Sequence, residues 1–174
     1  KGVIDGRGRE LANNFINQVY SGVIKEETPE TEALLYAAAR AQLVSELIIP
    51  AAESGKIVVC DRYIDSSVAY QGYGRGLGKE FIDDINSFAI KNRMPDVTLF
   101  FDITPERAFE RKGGADKNDR MEQSGLSFHK KVYEGYLRQA TEYPERIVRI
   151  NAEQTVEKVF ADVIRVLKER NIVK

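Results

Sequence analysis

Lys56-Ile-Val-Val-Cys60 runs without a break into Asp61-Arg-Tyr-Ile-Asp-Ser-Ser-Val-Ala-Tyr-Gln-Gly-Tyr-Gly-Arg-Gly-Leu-Gly78. The first five residues form a short β-branched run, apolar on both faces. That pattern suits a parallel strand covered by helices on either side. The segment after Cys60 is charged, aromatic and rich in glycine. In open α/β sheets, ligands collect beyond the carboxyl ends of the strands, so Asp61 and Arg62 stand where a ligand is expected. A carboxylate there can hold Mg²⁺, directly or through water, and an arginine there offers a bidentate fork to a phosphate. A structural Asp–Arg ion pair accounts for the same two residues equally well on chemistry alone.

Two more runs read as buried strands, Val97–Phe101 (VTLFF) and Arg146–Ile150 (RIVRI). Helical stretches separate them. Thr31–Ser54 is rich in strong helix formers, with Pro50 at a kink or break and Gly55 as a C-terminal cap. Lys79–Lys91 carries Phe81, Ile82, Ile85, Phe88 and Ala89 at helical spacing. Pro105–Arg111 follows Thr104, a good N-cap with proline at the first helical position. Ser127–Thr141 and Val156–Lys168 complete the set, the last with Thr155 as its cap. Alternating helix and strand predicts an α/β layered fold with a parallel sheet. No repeat, low-complexity tract or linker interrupts residues 1–174, so a single domain is expected. The polar stretch Lys112–Gly125 (KGGADKNDRMEQSG) is either a solvated loop or a lid over a phosphate site.

The 174 residues suit one compact domain with a real core. Forty-three per cent are hydrophobic and 30 % charged, ordinary for a soluble globular protein. With 26 basic and 27 acidic residues the net charge is −1, so no global basic field argues for a nucleic-acid partner. The single cysteine, Cys60, excludes an intramolecular disulfide and fits a reducing cytoplasm; it reads as a small core residue. The single histidine, His129, excludes His-rich metal sites. No segment resembles a signal peptide, and no apolar run is expected to approach the roughly 18 residues of a membrane span.

DRYIDSSVAYQGYGRGLG resembles the signature of bacterial thymidylate kinases, in which a DR pair precedes S-x-A-Y-Q-G. Thr31-Glu-Ala-Leu-Leu-Tyr-Ala-Ala-Ala-Arg40 is similar to the family's nucleotide-binding helix, and Met94-Pro-Asp-Val-Thr-Leu-Phe-Phe-Asp102 to its PD-strand-D element. Asn118-Asp-Arg-Met-Glu122 resembles its lid, Phe128-His-x-x-Val-x-x-Gly-Tyr136 the next helix, and Ile150-Asn-Ala-Glu153 the loop near the ATP base. The likeness runs almost continuously from about Glu30 to the C-terminus.

The resemblance implies a P-loop nucleoside-monophosphate-kinase fold. This is a three-layer sandwich whose five-stranded parallel sheet is flanked by helices, of which three strands are legible here, with a lid at about 111–125. It implies transfer of a phosphoryl group from ATP to dTMP with Mg²⁺, in a cytoplasmic homodimer. By position, Tyr36 matches the aromatic that stacks on thymine and Arg40 the arginine that reaches its carbonyl edge. Without that match, core packing would be the preferred reading of Tyr36. Arg62 matches the clamp on the dTMP phosphate, and Asp61 the acidic partner near the metal. Ser67 and Gln71 match base-contacting side chains, and Tyr70 the tyrosine that crowds the sugar 2′ position. Phosphoryl transfer needs alignment and positive charge. Arg111, Lys112, Lys117 and Arg120 are the lid candidates, Arg120 first among them. Asp5 and Gly6 match the ATP side of the phosphate loop, and Asn151 and Ala152 the adenine side. The apolar stretch Ala33–Ile49 is compatible with dimerisation or with full burial in a monomer.

The amino-terminal segment departs from the family pattern. The family carries a strand, a GxxxxGK[ST] loop and a helix, then a strand leading to R-E-P-G-G. Here Lys1-Gly-Val-Ile-Asp-Gly-Arg-Gly-Arg-Glu10 stands instead. In one reading Ile4–Glu10 is an altered phosphate loop, with Arg9 in place of lysine and Glu10 in place of the Mg²⁺-binding hydroxyl. In the other, Lys1–Gly6 belong to the first strand and its turn and Arg9–Glu10 to R-E-P-G-G, the stretch between them being absent. Geometry favours the second, because a βαβ unit takes roughly 30 residues or more and a sheet lacking its central strand buries unpaired backbone groups. Leu11–Val19 (LANNFINQV) also lacks the arginine the family carries near the acceptor phosphate. Three functions compete on these residues: an active dTMP kinase, a pseudokinase that keeps the dTMP pocket, and a kinase for another nucleoside monophosphate such as dUMP. Arg40, Tyr70 and Gln71 argue for dTMP.

Overall fold

The computed structural model describes residues 3–6, 17, 28–112 and 124–173. They fall into two compact units, Lys1–Met94 and Pro95–Lys174.

In the first unit, β1 (Val3–Gly6) pairs in parallel with β2 (Ile57–Cys60), from Val3 beside Ile57 to Gly6 beside Cys60. β1 adds a strand to the three legible in the sequence and agrees with assigning Lys1–Gly6 to a first strand. Arg7, Arg9, Glu10 and the stretch Leu11–Val19, apart from Asn17, lie outside the described residues. The long helix starts earlier than its composition suggests. Thr28 caps it, its Oγ1 accepting from Thr31 N at 3.3 Å, and Pro29 takes the first helical position of α1 (Pro29–Leu43). The chain then widens into a π-helical segment, Val44–Ile48, before α2 (Ile49–Glu53). Pro50 accounts for the widening, because its ring crowds the carbonyl four residues back and it has no N–H to donate. Gly55, at φ +71°, closes the helix in the left-handed region and donates to Ala52 O at 2.9 Å.

After β2 come α3 (Ile64–Ser67), a second π-helical segment over Val68–Gly74, and α4 (Lys79–Ile90). Ala33 of α1, Ile64, Val68 and Ile82 form the core, with Tyr63, Tyr73, Leu77, Ile85 and Ile90 packed around them. A side chain at Gly72 would sit 3.4 Å from Gly78 O and 3.5 Å from Ile82, so the two ends of the glycine-rich loop meet closely.

One sequence expectation needs correcting. Pro29–Glu53, bent as it is, is long enough and over 18 residues apolar enough (mean hydropathy 1.2) to cross a membrane by length and composition. Alanines and leucines on a core-facing helix produce the same composition. Here Ala33, Ala37, Leu43 and Val44 are buried, and so are Glu32 and Arg40, which engage polar partners described below.

In the second unit, β3 (Thr98–Asp102) pairs in parallel with β4 (Ile147–Asn151), Thr98 beside Ile147 and Asp102 beside Asn151. α5 (Pro105–Lys112) starts on its expected cap, Arg107 N lying 3.4 Å from Thr104 Oγ1. α6 spans Gly125–Glu142 and α7 spans Val156–Glu169, capped by Thr155. Phe100, Ala140 and Ile147 form the core of this unit, with the Phe100 ring stacked on Tyr136 at 5.1 Å. The expectation that the strands are covered on both faces does not hold throughout: Val59 and Phe101 are each 50 % exposed.

Ile82, with no exposed surface, and Asp84, exposed two residues later, make a paired test on α4. Ile82→Ala should cost about 3 kcal/mol through lost burial and a cavity, and Asp84→Ala less than about 0.5 kcal/mol. Urea unfolding monitored by circular dichroism measures both, and equal costs would contradict the packing described.

Candidate active site

Gly6 lies in register with Cys60, so the chain leaves β1 and β2 at the same level of the sheet. Asp61 and Arg62 come immediately after and both are exposed. Arg62 takes φ +67°, a left-handed conformation that costs a non-glycine residue about 1–2 kcal/mol. Its guanidinium lies over the Tyr70 ring, 4.7 Å from the centroid. The sharp turn thus brings the Arg62 cation over the π-helical segment that carries Tyr70. Asp61 is a single carboxylate; among the described residues no group of three His, Cys, Asp or Glu side chains forms a metal cage. One carboxylate suits Mg²⁺, which keeps several waters and takes substrate oxygens as its other ligands.

Deeper in this unit, α1, α3 and α4 meet around Arg40, which is only 9 % exposed. Its Nη1 donates to Asn86 Oδ1, and its Nη2 to Ser67 Oγ at 2.7 Å and to Tyr63 O at 3.4 Å. Asn86, 1 % exposed, in turn donates from Nδ2 to Ile82 O at 2.8 Å. Burial lowers the Arg40 pKa to about 10, opposed by Tyr63, Asp65, Cys60 and Tyr36, so the side chain keeps its charge near neutrality. Burial likewise raises Tyr63 to about 12, opposed by Arg40. The Tyr63 hydroxyl is buried with no hydrogen-bond partner, and its ring lies 5.5 Å from the Arg40 guanidinium. Tyr36, one helical turn before Arg40, is half-buried.

A second buried charge sits at the start of α1. Glu32 is 1 % exposed. Its Oε1 accepts from Gln71 Nε2 at 2.8 Å and from Arg75 Nε at 3.4 Å, and its Oε2 accepts from Arg75 Nη2 at 3.1 Å. Gln71, 2 % exposed, is thereby tied by its amide nitrogen to α1.

In the second unit Arg111 reaches the loop after β4. It donates to Ala152 O and, at 2.7 Å, to Glu153 O. Asn151 Oδ1 accepts from Glu153 N at 2.9 Å, shaping the same turn. At the end of β3, Asp102 accepts from Tyr133 Oη at 2.7 Å and from Arg149 Nε at 2.9 Å. Burial and this bond to Asp102 raise the Tyr133 pKa.

Of the residues singled out by sequence, the first unit thus gathers Tyr36, Arg40 and Ser67 in one cluster, sets Tyr70 against Arg62, and holds Gln71 on Glu32. The second gathers Arg111, Asn151 and Ala152. Asp5 and Gly6 are placed by backbone alone, and Lys117 and Arg120 lie outside the described residues. Sequence reasoning missed Glu32, Tyr63, Arg75 and Asn86. Glu32 carried a usable signal: it stands four residues before Tyr36 and eight before Arg40, a charge on the face those residues share.

Comparison with known proteins adds an independent line. The profile of the Thymidylate kinase family matches residues 8–163. The chain is 51 % identical over 144 residues to the thymidylate kinase of Halalkalibacterium halodurans, covering 82 % of this chain and 69 % of that protein. It is 48 % identical over 157 residues to the thymidylate kinase of Thermoanaerobacter sp. strain X514, covering 90 % and 71 %. Over 165 residues it is 45 % identical to the thymidylate kinase of Lactobacillus acidophilus, covering 94 % and 76 %. Parallel strands alternating with helices, a DR pair at the end of β2 and identity of this extent agree with one another: the chain belongs to the thymidylate kinase family, whose fold is that of the P-loop nucleoside monophosphate kinases.

Proposed function

We propose that this chain is an ATP:dTMP phosphotransferase. An oxygen of the dTMP phosphate attacks the γ-phosphorus of ATP, the bond from that phosphorus to the β-phosphate oxygen breaks, and ADP and dTDP leave. The observation that carries the proposal is that a buried, charged Arg40 and the Glu32 that tethers Gln71 both belong to α1, in the unit whose β2 leads into Asp61–Arg62. A donor on α1 and an acceptor whose amide is tied to α1 suit the C4 carbonyl and the N3–H of a thymine edge.

In this reading Tyr36 stacks on the base, Arg40, Ser67 and Gln71 address its edge, and Tyr70 crowds the sugar 2′ position. Arg62 clamps the acceptor phosphate. Asp5 and Gly6 contribute to the ATP phosphate side, Arg111, Asn151 and Ala152 to the adenine side, and Arg120 supplies lid charge to the phosphoryl group in flight. Asp61 would hold Mg²⁺, directly or through water, and the ion would supply charge to neutralise the phosphates of ATP. This reading takes residues 1–174 as a single kinase domain with a lid at about 111–125, in the cytoplasm and away from membranes and nucleic acid. Leu34 of α1 and Phe81 and Phe88 of α4 are 52 %, 36 % and 84 % exposed, which supports a homodimer through these helices. The pseudokinase reading rests on Arg9 and Glu10, outside the described residues, and no observation favours it.

Purified protein with ATP, Mg²⁺ and dTMP should release ADP at about 1–100 s⁻¹, dependent on dTMP; absence of dTMP-dependent release would sink the assignment. Arg62→Ala should lower kcat/KM for dTMP by about 10²-fold or more while leaving the melting temperature essentially unchanged, since the left-handed strain persists and no buried group is lost. Light scattering should give twice the chain mass, and Phe88→Asp should shift it toward one; an unchanged monomer in both would remove the dimer from the proposal.

A further inference from the structure

Among the described residues, Glu32 is the one carboxylate that is essentially without exposed surface and bonded to a residue placed at the substrate base. A carboxylate paired with Arg75 can only accept hydrogen bonds. The atom of Gln71 that faces it at 2.8 Å is therefore the amide nitrogen, and the flipped amide would set two acceptors against each other in a buried place. Arg75 holds Glu32 from the other side with both Nε and Nη2, so the carboxylate cannot turn away without breaking a buried ion pair. Gln71 Oε1 carries no hydrogen bond to this network and is the acceptor of the amide left to present elsewhere.

Arg40 completes the pattern. A guanidinium has five N–H donors, and Asn86, Ser67 and Tyr63 take three of them. Two donors remain. Thymine shows a C4 carbonyl and an N3–H donor along one edge; cytosine shows an amino group and a bare N3 at the same places. A rotatable glutamine could satisfy either N3. A glutamine whose nitrogen is tied down can satisfy only N3–H.

We propose that Glu32 is a positioning residue that sets base selectivity by locking the Gln71 amide with its oxygen toward the nucleotide. Through this lock the site accepts bases with an imide N3–H and rejects cytosine. The inference rests on the dTMP-kinase reading above and deepens it, since the selectivity then originates in a residue that does not itself touch the base.

The test is steady-state ADP release by the full chain with dTMP and with dCMP at saturating ATP and Mg²⁺. Glu32→Gln keeps the shape but gives the partner both a donor and an acceptor, which frees the amide to flip. The expected result is a rise of about tenfold in KM for dTMP with kcat within about threefold, and a rise of at least about tenfold in the dCMP to dTMP ratio of kcat/KM. The reciprocal double variant, Glu32→Gln with Gln71→Glu, returns a fixed acceptor to the base side and keeps one carboxylate near Arg75. It should recover most of the selectivity, and it carries the test if the single variant fails to fold. An unchanged ratio in Glu32→Gln, or a double variant no more selective than the single, would overturn the lock while leaving the kinase reading intact. A wild-type chain without dTMP-dependent turnover would overturn both.

Discussion

Burying the Arg40 guanidinium is the constraint around which the first unit is arranged. A charge taken out of water is tolerated only when its donors meet acceptors. Those acceptors come from three places in the chain: Ser67 on α3, the Tyr63 carbonyl just before it, and Asn86 on α4. Satisfying one side chain therefore fixes how α1, α3 and α4 approach one another. Asn86 can serve only because its own nitrogen is occupied by Ile82 O, within the same helix. The apolar contacts of Ala33, Ile64, Val68 and Ile82 supply the bulk of the cohesion, but they would tolerate several orientations. The hydrogen bonds select one.

Glu32 and Arg40 also obey a simpler rule. The acid lies in the first turn of α1 and the base in its last turn. Each stands at the end of the helix where the aligned peptide dipoles favour its sign. The same helix thus holds an anion and a cation in its buried stripe at reduced cost. This is why a stretch with the composition of a bilayer-crossing helix can turn one stripe to the core and carry polar chemistry there.

Much of this was legible beforehand. The three strands KIVVC, VTLFF and RIVRI read correctly to within one residue, since β-branched and aromatic runs bounded by turns admit few alternatives. Thr104–Pro105, Thr155 and Gly55 marked element ends through local chemistry that needs no tertiary context. The π-helical segments at Val44–Ile48 and Val68–Gly74 were not legible, because the residue pattern of one wide turn differs little from an ordinary one. Gln71 was read as a base contact from resemblance, but its partner was not: Glu32 and Gln71 are 39 residues apart, and spacing along the chain does not report such pairs. Asn86 was hidden for the same reason, among the apolar residues of α4. The half-exposed Val59 and Phe101 likewise depend on what packs against each strand, which an apolar run does not specify.

The backbone at Arg62 has an evolutionary consequence. At φ +67° glycine would be more comfortable than arginine, so substitution by glycine would relieve strain and remove the guanidinium in one step. A search for thermostable variants judged by melting temperature alone would be drawn to this position. On the proposed role of Arg62 as the phosphate clamp, arginine at a place that favours glycine is a stability deficit that selection for activity would retain. Positions where backbone preference and residue identity disagree can therefore be read as a record of what the protein was selected to do.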